Sequence, residues 1–173
     1  RLALAMSRDG GAEIYTMSLE GNDVERLTYS ITDNVSPSWS PNGREMVFTS
    51  GRGGPPQLYI MSVDGSDARR ITYEGPYNAS PHWSPRGDRI VFASQVKGLF
   101  KIATISPDGS DFRILTDGPG NDENPMWSPT GRQIVFSSTR EGRSAIYIMN
   151  ADGTEVTRLT PKDANYSSPA WSP

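Results

Sequence analysis

The 173-residue sequence lacks cysteine, has a single histidine and contains no apolar run long enough to cross a bilayer. Without cysteine, a disulfide framework and thiol catalysis are excluded. A membrane-spanning helix would need about 20 consecutive apolar residues, so membrane insertion is not expected. The net charge of −3 provides no basic surface for nucleic acid or anionic lipid. The length suits one domain.

The lone histidine, His82, cannot form a usual zinc site in a chain without cysteine. No Ser-His-Asp motif and no Gly-x-Ser-x-Gly elbow is present. The acidic stretches 117–123 and 162–165 lack the alternating oxygen spacing of an EF-hand loop. We therefore predict no catalytic residue, no metal ligand and no enzymatic activity, with His82 packed inside the fold or lining a channel.

What the sequence does contain is a repeat. Its four tryptophans recur at steps of 44 residues within the hexapeptides SPSWSP, SPHWSP, NPMWSP and SPAWSP. The segments EMVF, RIVF and QIVF (45–48, 89–92 and 133–136) keep the same step, as do EIYTM, QLYIM, KIATI and AIYIM, which begin at 13, 57, 101 and 145. RLT, RIT, ILT and RLT end at 28, 72, 116 and 160. A fixed period of this length is typical of repeat architectures.

Each repeat holds four short β-rich segments separated by turn residues, which predicts one four-stranded antiparallel sheet per repeat. We name the strands A (around the tryptophan), B (IVF), C (IYIM) and D (RLT). The C–D turns carry Gly at 21, 65, 109 and 153, preceded by Glu or Asp, a strong hairpin signal. Identical sheets of this kind predict an all-β fold, a β-propeller with one sheet per blade.

The chain ends predict how the ring closes. Arg1 is in register with Glu45, so the chain starts in a strand B, whereas 168–173 is a strand A. We expect one domain over 1–173, with strands B–D of the first blade in 1–28, repeats at 36–72, 80–116 and 124–160, and a closing strand at 168–173 that pairs with the N-terminal strand. Such pairing removes two bare sheet edges. The alternative is two chains exchanging these strands in one eight-bladed ring, a homodimer.

Two features have structural interpretations. A large ring once per blade predicts that the tryptophans pack between adjacent sheets. The flanking Ser-Pro pairs are interpreted as strand termini, because proline fixes φ.

The B–C loops carry an arginine at equivalent positions in three repeats, namely Arg8, Arg52 and Arg140. They are expected to form either a ring of positive charge or, as we favour, ion pairs with carboxylates of neighbouring blades.

Strand connectivity puts the D–A and B–C loops on one face, and these loops carry most of the variation between repeats. Loops borne by a rigid scaffold are where recognition usually occurs. The predicted partner contacts comprise loop residues and two residues near the mouth of the channel. They are Asp33, Asn34, Tyr77, Asn78, His82, Asn121, Asp122, Met126, Asn165 and Tyr166.

The repeat resembles the TolB-type propeller unit, with its WSP, VFTS, VFAS, VFSS, IYIMNADG and RLT segments, over the whole length of the chain. This resemblance implies a periplasmic component of the Tol–Pal cell-envelope system whose six-bladed propeller binds the peptidoglycan-associated lipoprotein. It also implies that these are the last four of six blades, without the family's N-terminal α/β domain. Some propellers of this type are expected to hold calcium in the channel, although the residues here predict no cofactor.

Three functions are therefore open. The first is a non-catalytic module that binds the peptidoglycan-associated lipoprotein through the loop-rich face. The second is an excised or engineered four-blade piece with no retained partner, a reading that the non-initiator Arg1 and the missing blades favour. The third is the gating propeller of a peptidase, which would need a separate hydrolase domain.

Overall fold

The computed structural model describes residues 1–8 and 10–172, which form fifteen β-strands. Blade 1 contains strands B, C and D, and blades 2, 3 and 4 each contain A, B, C and D. The strands are β1 (Leu2–Met6), β2 (Glu13–Met17) and β3 (Glu25–Arg26) in blade 1; β4 (Asn34–Trp39), β5 (Glu45–Ser50), β6 (Gln57–Ser62) and β7 (Arg69–Arg70) in blade 2; β8 (Asn78–Trp83), β9 (Ile90–Val96), β10 (Leu99–Ile105) and β11 (Arg113–Ile114) in blade 3; β12 (Asp122–Trp127), β13 (Gln133–Ser138), β14 (Ala145–Asn150) and β15 (Thr157–Arg158) in blade 4.

Each sheet is antiparallel, and its strands follow chain order from A at the inner side to D at the outer side. In blades 2 and 3, the middle strands B and C are buried along most of their length, because neighbouring sheets cover both of their faces. Strand D is only two residues long, and short outer strands limit edge-to-edge association. The all-β propeller fold predicted from the repeat is confirmed. Strands A begin at 34, 78 and 122, two residues before the predicted repeat boundaries.

Three hydrophobic clusters lie between successive sheets. The first joins blades 1 and 2 around Phe48, the second joins blades 2 and 3 around Phe92, and the third joins blades 3 and 4 around Phe136. Trp83 and Trp127 belong to the second and third clusters and are almost completely buried, and Trp39 packs against the first. The predicted packing of tryptophan between adjacent sheets is therefore confirmed for these three residues, whereas Trp171 belongs to none of the three clusters.

The C–D turns hold neighbouring blades in register. Gly65 lies at φ 85°, and a Cβ atom there would lie 2.6 Å from the Leu27 carbonyl oxygen of the preceding blade. A Cβ atom on Gly153 would likewise lie 2.8 Å from the Leu115 carbonyl oxygen. Both the positive φ and the missing side chain are needed at this position, because the C–D turn of one blade lies against the backbone at the end of the preceding blade.

The inner strands differ from the prediction at their first Ser-Pro pair. Ser36, Ser80 and Asn124 adopt φ of 53–54° inside strands β4, β8 and β12, and the pairing register shifts beside each of them. These pairs are β-bulges within the strand and not strand termini. Only the second Ser-Pro of each hexapeptide follows the strand end. The bulge bends strand A, which lets it follow the inner wall of the propeller.

The predicted closure of the ring is not formed. Strand β1 pairs with β2 alone, and residues 168–172 form no strand. Instead, the Trp171 indole donates a hydrogen bond from Nε1 to the Met126 carbonyl oxygen over 3.3 Å, which places the C-terminal segment beside β12. Pro173 lies outside the described residues.

Candidate protein-binding site

A concave groove of 650 Å³ runs along the inner strands. Its wall repeats one short motif four times. Strands β4, β8 and β12 each contribute the bulge residue, the following proline and the next side chain, and the C-terminal segment contributes the equivalent residues 168–170. The lining residues are Ser36, Pro37, Ser38, Trp39, Ser80, Pro81, His82, Trp83, Asn124, Pro125, Met126, Ser168, Pro169 and Ala170. The sequence reasoning missed the serines and prolines of this wall, although the recurring hexapeptide with its fixed proline was a signal that could have found them.

His82 and Met126 lie at equivalent positions of β8 and β12 and line this groove as predicted. They also line a second hollow of 370 Å³ on the A–B side, so both side chains lie between the two mouths. The backbone N–H of Trp127 donates to His82 Nδ1 over 3.4 Å. Burial lowers the pKa of His82 below its usual value, so the ring is neutral at pH 7 and Nδ1 can accept this bond.

Three of the predicted contacts, Asn34, Asn78 and Asp122, have completely buried side chains. They occupy the first position of β4, β8 and β12, where each side chain reaches strand C of the preceding blade. Asn34 donates to Glu13 Oε2 at 2.7 Å, and Asn78 donates to Gln57 Oε1 at 2.8 Å. In this structure they join neighbouring blades and do not face solvent.

The corresponding pair between blades 3 and 4 is ionic. Lys101 Nζ lies 3.4 Å from Asp122 Oδ2 and donates to the Gly120 carbonyl oxygen at 2.7 Å, and both charged side chains are buried. Arg140 approaches the other carboxylate oxygen of Asp122 at 3.0 Å. The same site in three repeats therefore holds Glu with Asn, Gln with Asn, or Lys with Asp. In each case a buried acceptor meets a donor, as buried polar groups require.

Burial disfavours the charged form of Glu13, but hydrogen bonds from Thr28, the Ser30 backbone, Asn34 and Arg26 outweigh it and lower the pKa of this carboxyl group. Glu13 therefore stays ionised well below neutral pH. Blades 1 and 2 are therefore joined by a carboxylate that several hydrogen-bond donors surround.

Arg52 and Arg140 do not form an open ring of charge. Arg140 pairs with Asp122 of its own blade, whereas we predicted a carboxylate of the neighbouring blade. Arg52 donates to Asn34 Oδ1 at 3.1 Å. Its guanidinium lies 5.0 Å from the ring centre of Tyr59, and Arg140 lies 4.8 Å from that of Tyr147. These arginines secure the B–C loops against strand C by cation–π contacts. Arg8 is exposed.

Tyr77 and Asp33 are brought together at the loop-rich face, where they line a hollow of 440 Å³ with the fully exposed Ile31. The ring of Tyr77 packs edge-on against Phe100 at a centroid distance of 5.4 Å. Asp33 Oδ1 accepts from the Ala12 N–H at 2.7 Å. This hollow joins the loops of two blades, and Ile31 is a surface residue that the sequence reasoning did not select.

The remaining predicted contacts lie in two other D–A loops. Asn121 Oδ1 accepts from the Phe100 N–H at 3.0 Å, which ties its loop to β10. Asn165 is exposed. The Tyr166 hydroxyl donates to Asp163 Oδ1 at 2.9 Å, and this bond raises the pKa of the phenol. The ten residues are therefore spread over the inner groove, the loop-rich face and the interior.

Glu141 shows the strongest electrostatic effect on this face. Hydrogen bonds from Lys162 and from the Tyr147 hydroxyl, together with the positive charges of Lys162 and Arg158, outweigh the opposing effect of burial and lower the pKa of Glu141 to about 2. A carboxyl group whose pKa falls on folding stabilises the fold above its unfolded value of 4.5. That contribution is lost as pH falls from about 4.5 towards 2.

We expect an NMR titration to find the Glu141 carboxyl ionised at pH 3. In Lys162→Ala, its pKa should rise towards 4.5, because the strongest hydrogen-bond donor to Glu141 and its nearest cation are lost together. The exposed Lys97→Ala is a control that should leave Glu141 unchanged. A Glu141 titration that is the same with and without Lys162 would contradict this assignment.

Among residues 1–8 and 10–172, no cluster of three or more His, Asp or Glu side chains is arranged to hold a metal ion. Across the same residues, no helix has the length and apolar character needed to cross a membrane.

Repeated four-stranded antiparallel sheets around a shared inner groove define this chain as a β-propeller protein. A family model described as the TolB beta propeller domain matches residues 1–173. The chain belongs to that family.

Similarity to individual proteins agrees with this family. The chain is 51% identical over 46 residues to the Tol-Pal system protein TolB of Geobacter sulfurreducens, covering 27% of this chain and 11% of that protein. It superposes on putative TolB of Agrobacterium tumefaciens with a TM-score of 0.84 and 27% identity, over 91% of this chain and 60% of the other. For TolB of Acinetobacter baumannii, the TM-score is 0.84 with 29% identity, over 98% and 42%. The chain thus spans less than two thirds of each.

Proposed function

We propose that this chain is a non-catalytic protein-binding propeller of the periplasm that engages the peptidoglycan-associated lipoprotein of the Tol–Pal system. The match of the TolB family over all 173 residues carries this proposal. The similarity to Tol-Pal system proteins supports the assignment to the cell envelope.

The groove along the inner strands and the loop-rich face suit a protein partner. The groove is open and lined by prolines, small side chains, Trp39 and Trp83, and His82 and Met126 project into it from a rigid wall. The wall is fixed because the neighbouring tryptophans are locked between sheets. Rigid surfaces lose little conformational entropy on binding, which favours affinity.

The experiment is calorimetric titration of the 173-residue chain with the soluble domain of the peptidoglycan-associated lipoprotein. We expect saturable binding that weakens at least tenfold in a His82→Ala, Met126→Ala double variant, because truncation removes the two largest non-tryptophan side chains of the groove. Arg44→Ala, on the exposed A–B turn of the opposite face, is the matched control and should bind as the unchanged chain does. The absence of saturable heat with a folded chain would refute the proposed partner.

A further inference from the structure

Blade 3 departs from blades 2 and 4 at three positions on the face towards the preceding blade. In blades 2 and 4, a tyrosine of strand C lies beside two arginines, one from the B–C loop and one from strand D. In blade 3, all three side chains are replaced by smaller aliphatic ones. The sets are Arg52, Tyr59 and Arg70 in blade 2; Arg140, Tyr147 and Arg158 in blade 4; and Val96, Ala103 and Ile114 in blade 3.

In blades 2 and 4, the tyrosine ring fills the space below the B–C loop. The Tyr59 hydroxyl reaches that loop, since a Cβ atom on Gly53 would lie 3.0 Å from its oxygen. The Tyr147 hydroxyl donates to Glu141 Oε1 over 3.0 Å at the corresponding place. In blades 2 and 4, this space is therefore filled by a phenol ring whose oxygen lies at the B–C loop.

In blade 3, a pocket of 260 Å³ lies at the loop end of the corresponding space, between the β9–β10 hairpin and the segment after β11. The buried Ala103 lies behind it and is not one of its lining residues. Its walls are mostly aliphatic, and the stem of the buried Lys101 forms part of them. The lining residues are Val96, Lys97, Leu99, Lys101, Ile114, Thr116, Asp117 and Gly118. An enclosed apolar cavity of roughly 150 Å³ already suffices to bind benzene in another protein.

Other side chains of blade 3 fill only the deeper part of the space that a tyrosine ring occupies in blades 2 and 4. Phe112 packs against the cluster that contains Ala103, and its ring lies 5.7 Å from that of Phe92. The part of this space nearer the B–C loop is open, since Ile114 is 40% exposed and Lys97 is exposed at the rim. The pocket is thus accessible from the loop-rich face.

We propose that this pocket of blade 3 binds a phenolic ring, inserted from the loop-rich face with its oxygen directed to Lys97. Lys97 stands where blade 4 has Glu141, the acceptor of the Tyr147 hydroxyl. A lysine ammonium is a donor and attracts a phenolic oxygen as its acceptor. The ring replaces the tyrosine that the repeat lacks here. This site is separate from the inner groove, and the proposal does not depend on the lipoprotein partner.

The test is titration of the 173-residue chain with p-cresol, the tyrosine side-chain analogue, followed by methyl NMR. We expect saturable shifts at the methyl groups of Val96, Leu99 and Ile114, with a dissociation constant on the order of 1 mM. Shifts that do not saturate, or that lie elsewhere in the chain, would overturn the proposal.

Two variants restore the normal repeat content and should close the site. Ala103→Tyr restores the aromatic ring at the buried position behind the pocket, and Ile114→Arg restores at its rim the residue type that blade 2 has as Arg70. Each should weaken p-cresol binding at least tenfold, whereas the neighbouring exposed Arg113→Ala should leave it unchanged. Ile114 is partly exposed, so this variant decides the matter if Ala103→Tyr does not fold. Unchanged binding in Ile114→Arg would refute the site.

A free small molecule and a partner's tyrosine side chain present the same ring. A peptide with tyrosine between two glycines, blocked at both ends, distinguishes them in the same titration. If the peptide shifts the three methyl signals as p-cresol does, the site accepts a ring carried on a protein. If only p-cresol does, the site is one for free phenols. Both results support the phenolic site and identify the source of its ligand.

Discussion

Replacement of Trp127 by alanine is expected to lower the free energy of unfolding by about 3–5 kcal/mol, the usual cost of deleting a large buried aromatic side chain. Trp127 is almost fully buried in the cluster that joins blades 3 and 4. Its Nε1 has no hydrogen-bond partner, so the loss comes from packing alone. Equilibrium urea unfolding followed by circular dichroism measures it.

Trp171→Ala is the matched control, because the same residue type at the same repeat position is only half buried beside β12. We expect it to cost clearly less than Trp127→Ala. Blades of a repeat protein can unfold in separate steps, so the transitions should be compared at more than one wavelength. Equal losses from the two substitutions would show that packing between sheets does not govern the stability of this fold.

The second large effect is expected at the buried ion pair between blades 3 and 4. Asp122→Asn removes the carboxylate that faces Lys101 and leaves a buried ammonium with the Gly120 carbonyl as its remaining acceptor. Breaking a buried pair by removing one partner costs about 3–5 kcal/mol. We therefore expect a loss in this range in urea unfolding at pH 7.

The chain itself supplies the control. At the equivalent site between blades 2 and 3, Gln57 and Asn78 form a neutral pair at 2.8 Å. Adding Lys101→Gln to Asp122→Asn copies that pair and should restore at least half of the lost stability. The double variant keeps an acceptor for Arg140, as Asn34 does for Arg52. No recovery in the double variant would mean that the ion pair is not the cause of the loss.

These two effects arise from opposite properties of the repeat. The tryptophans are the same in every unit, so their role in packing could be predicted from spacing alone. The buried polar pairs differ between units, and a sequence shows them only as isolated polar residues near strand ends. Asn34, Asn78 and Asp122 therefore entered the list of predicted partner contacts, although their side chains join neighbouring blades inside the protein.

Sequence reasoning placed His82 and Met126 correctly in the channel wall, since their position next to the tryptophan fixes them on the inner strand. It missed the serines and prolines of the same wall. Proline usually ends a strand or lies at its edge, and only the backbone shows that Ser36 adopts a positive φ inside β4. The phenol-sized pocket of blade 3 was also hidden, because it results from three replacements that are distant in sequence.

The sequence by itself determined the repeat, its 44-residue step, the order of strands in each sheet and the packing of tryptophan between sheets, because these depend on local pattern and on short turns. Only the tertiary structure decided that β1 and residues 168–172 do not pair, which polar side chains are buried, and where the inner wall bends. The reason is physical. The angle between blades and the burial of a polar group depend on how side chains from two sheets pack together, and identical strand patterns are compatible with more than one such angle.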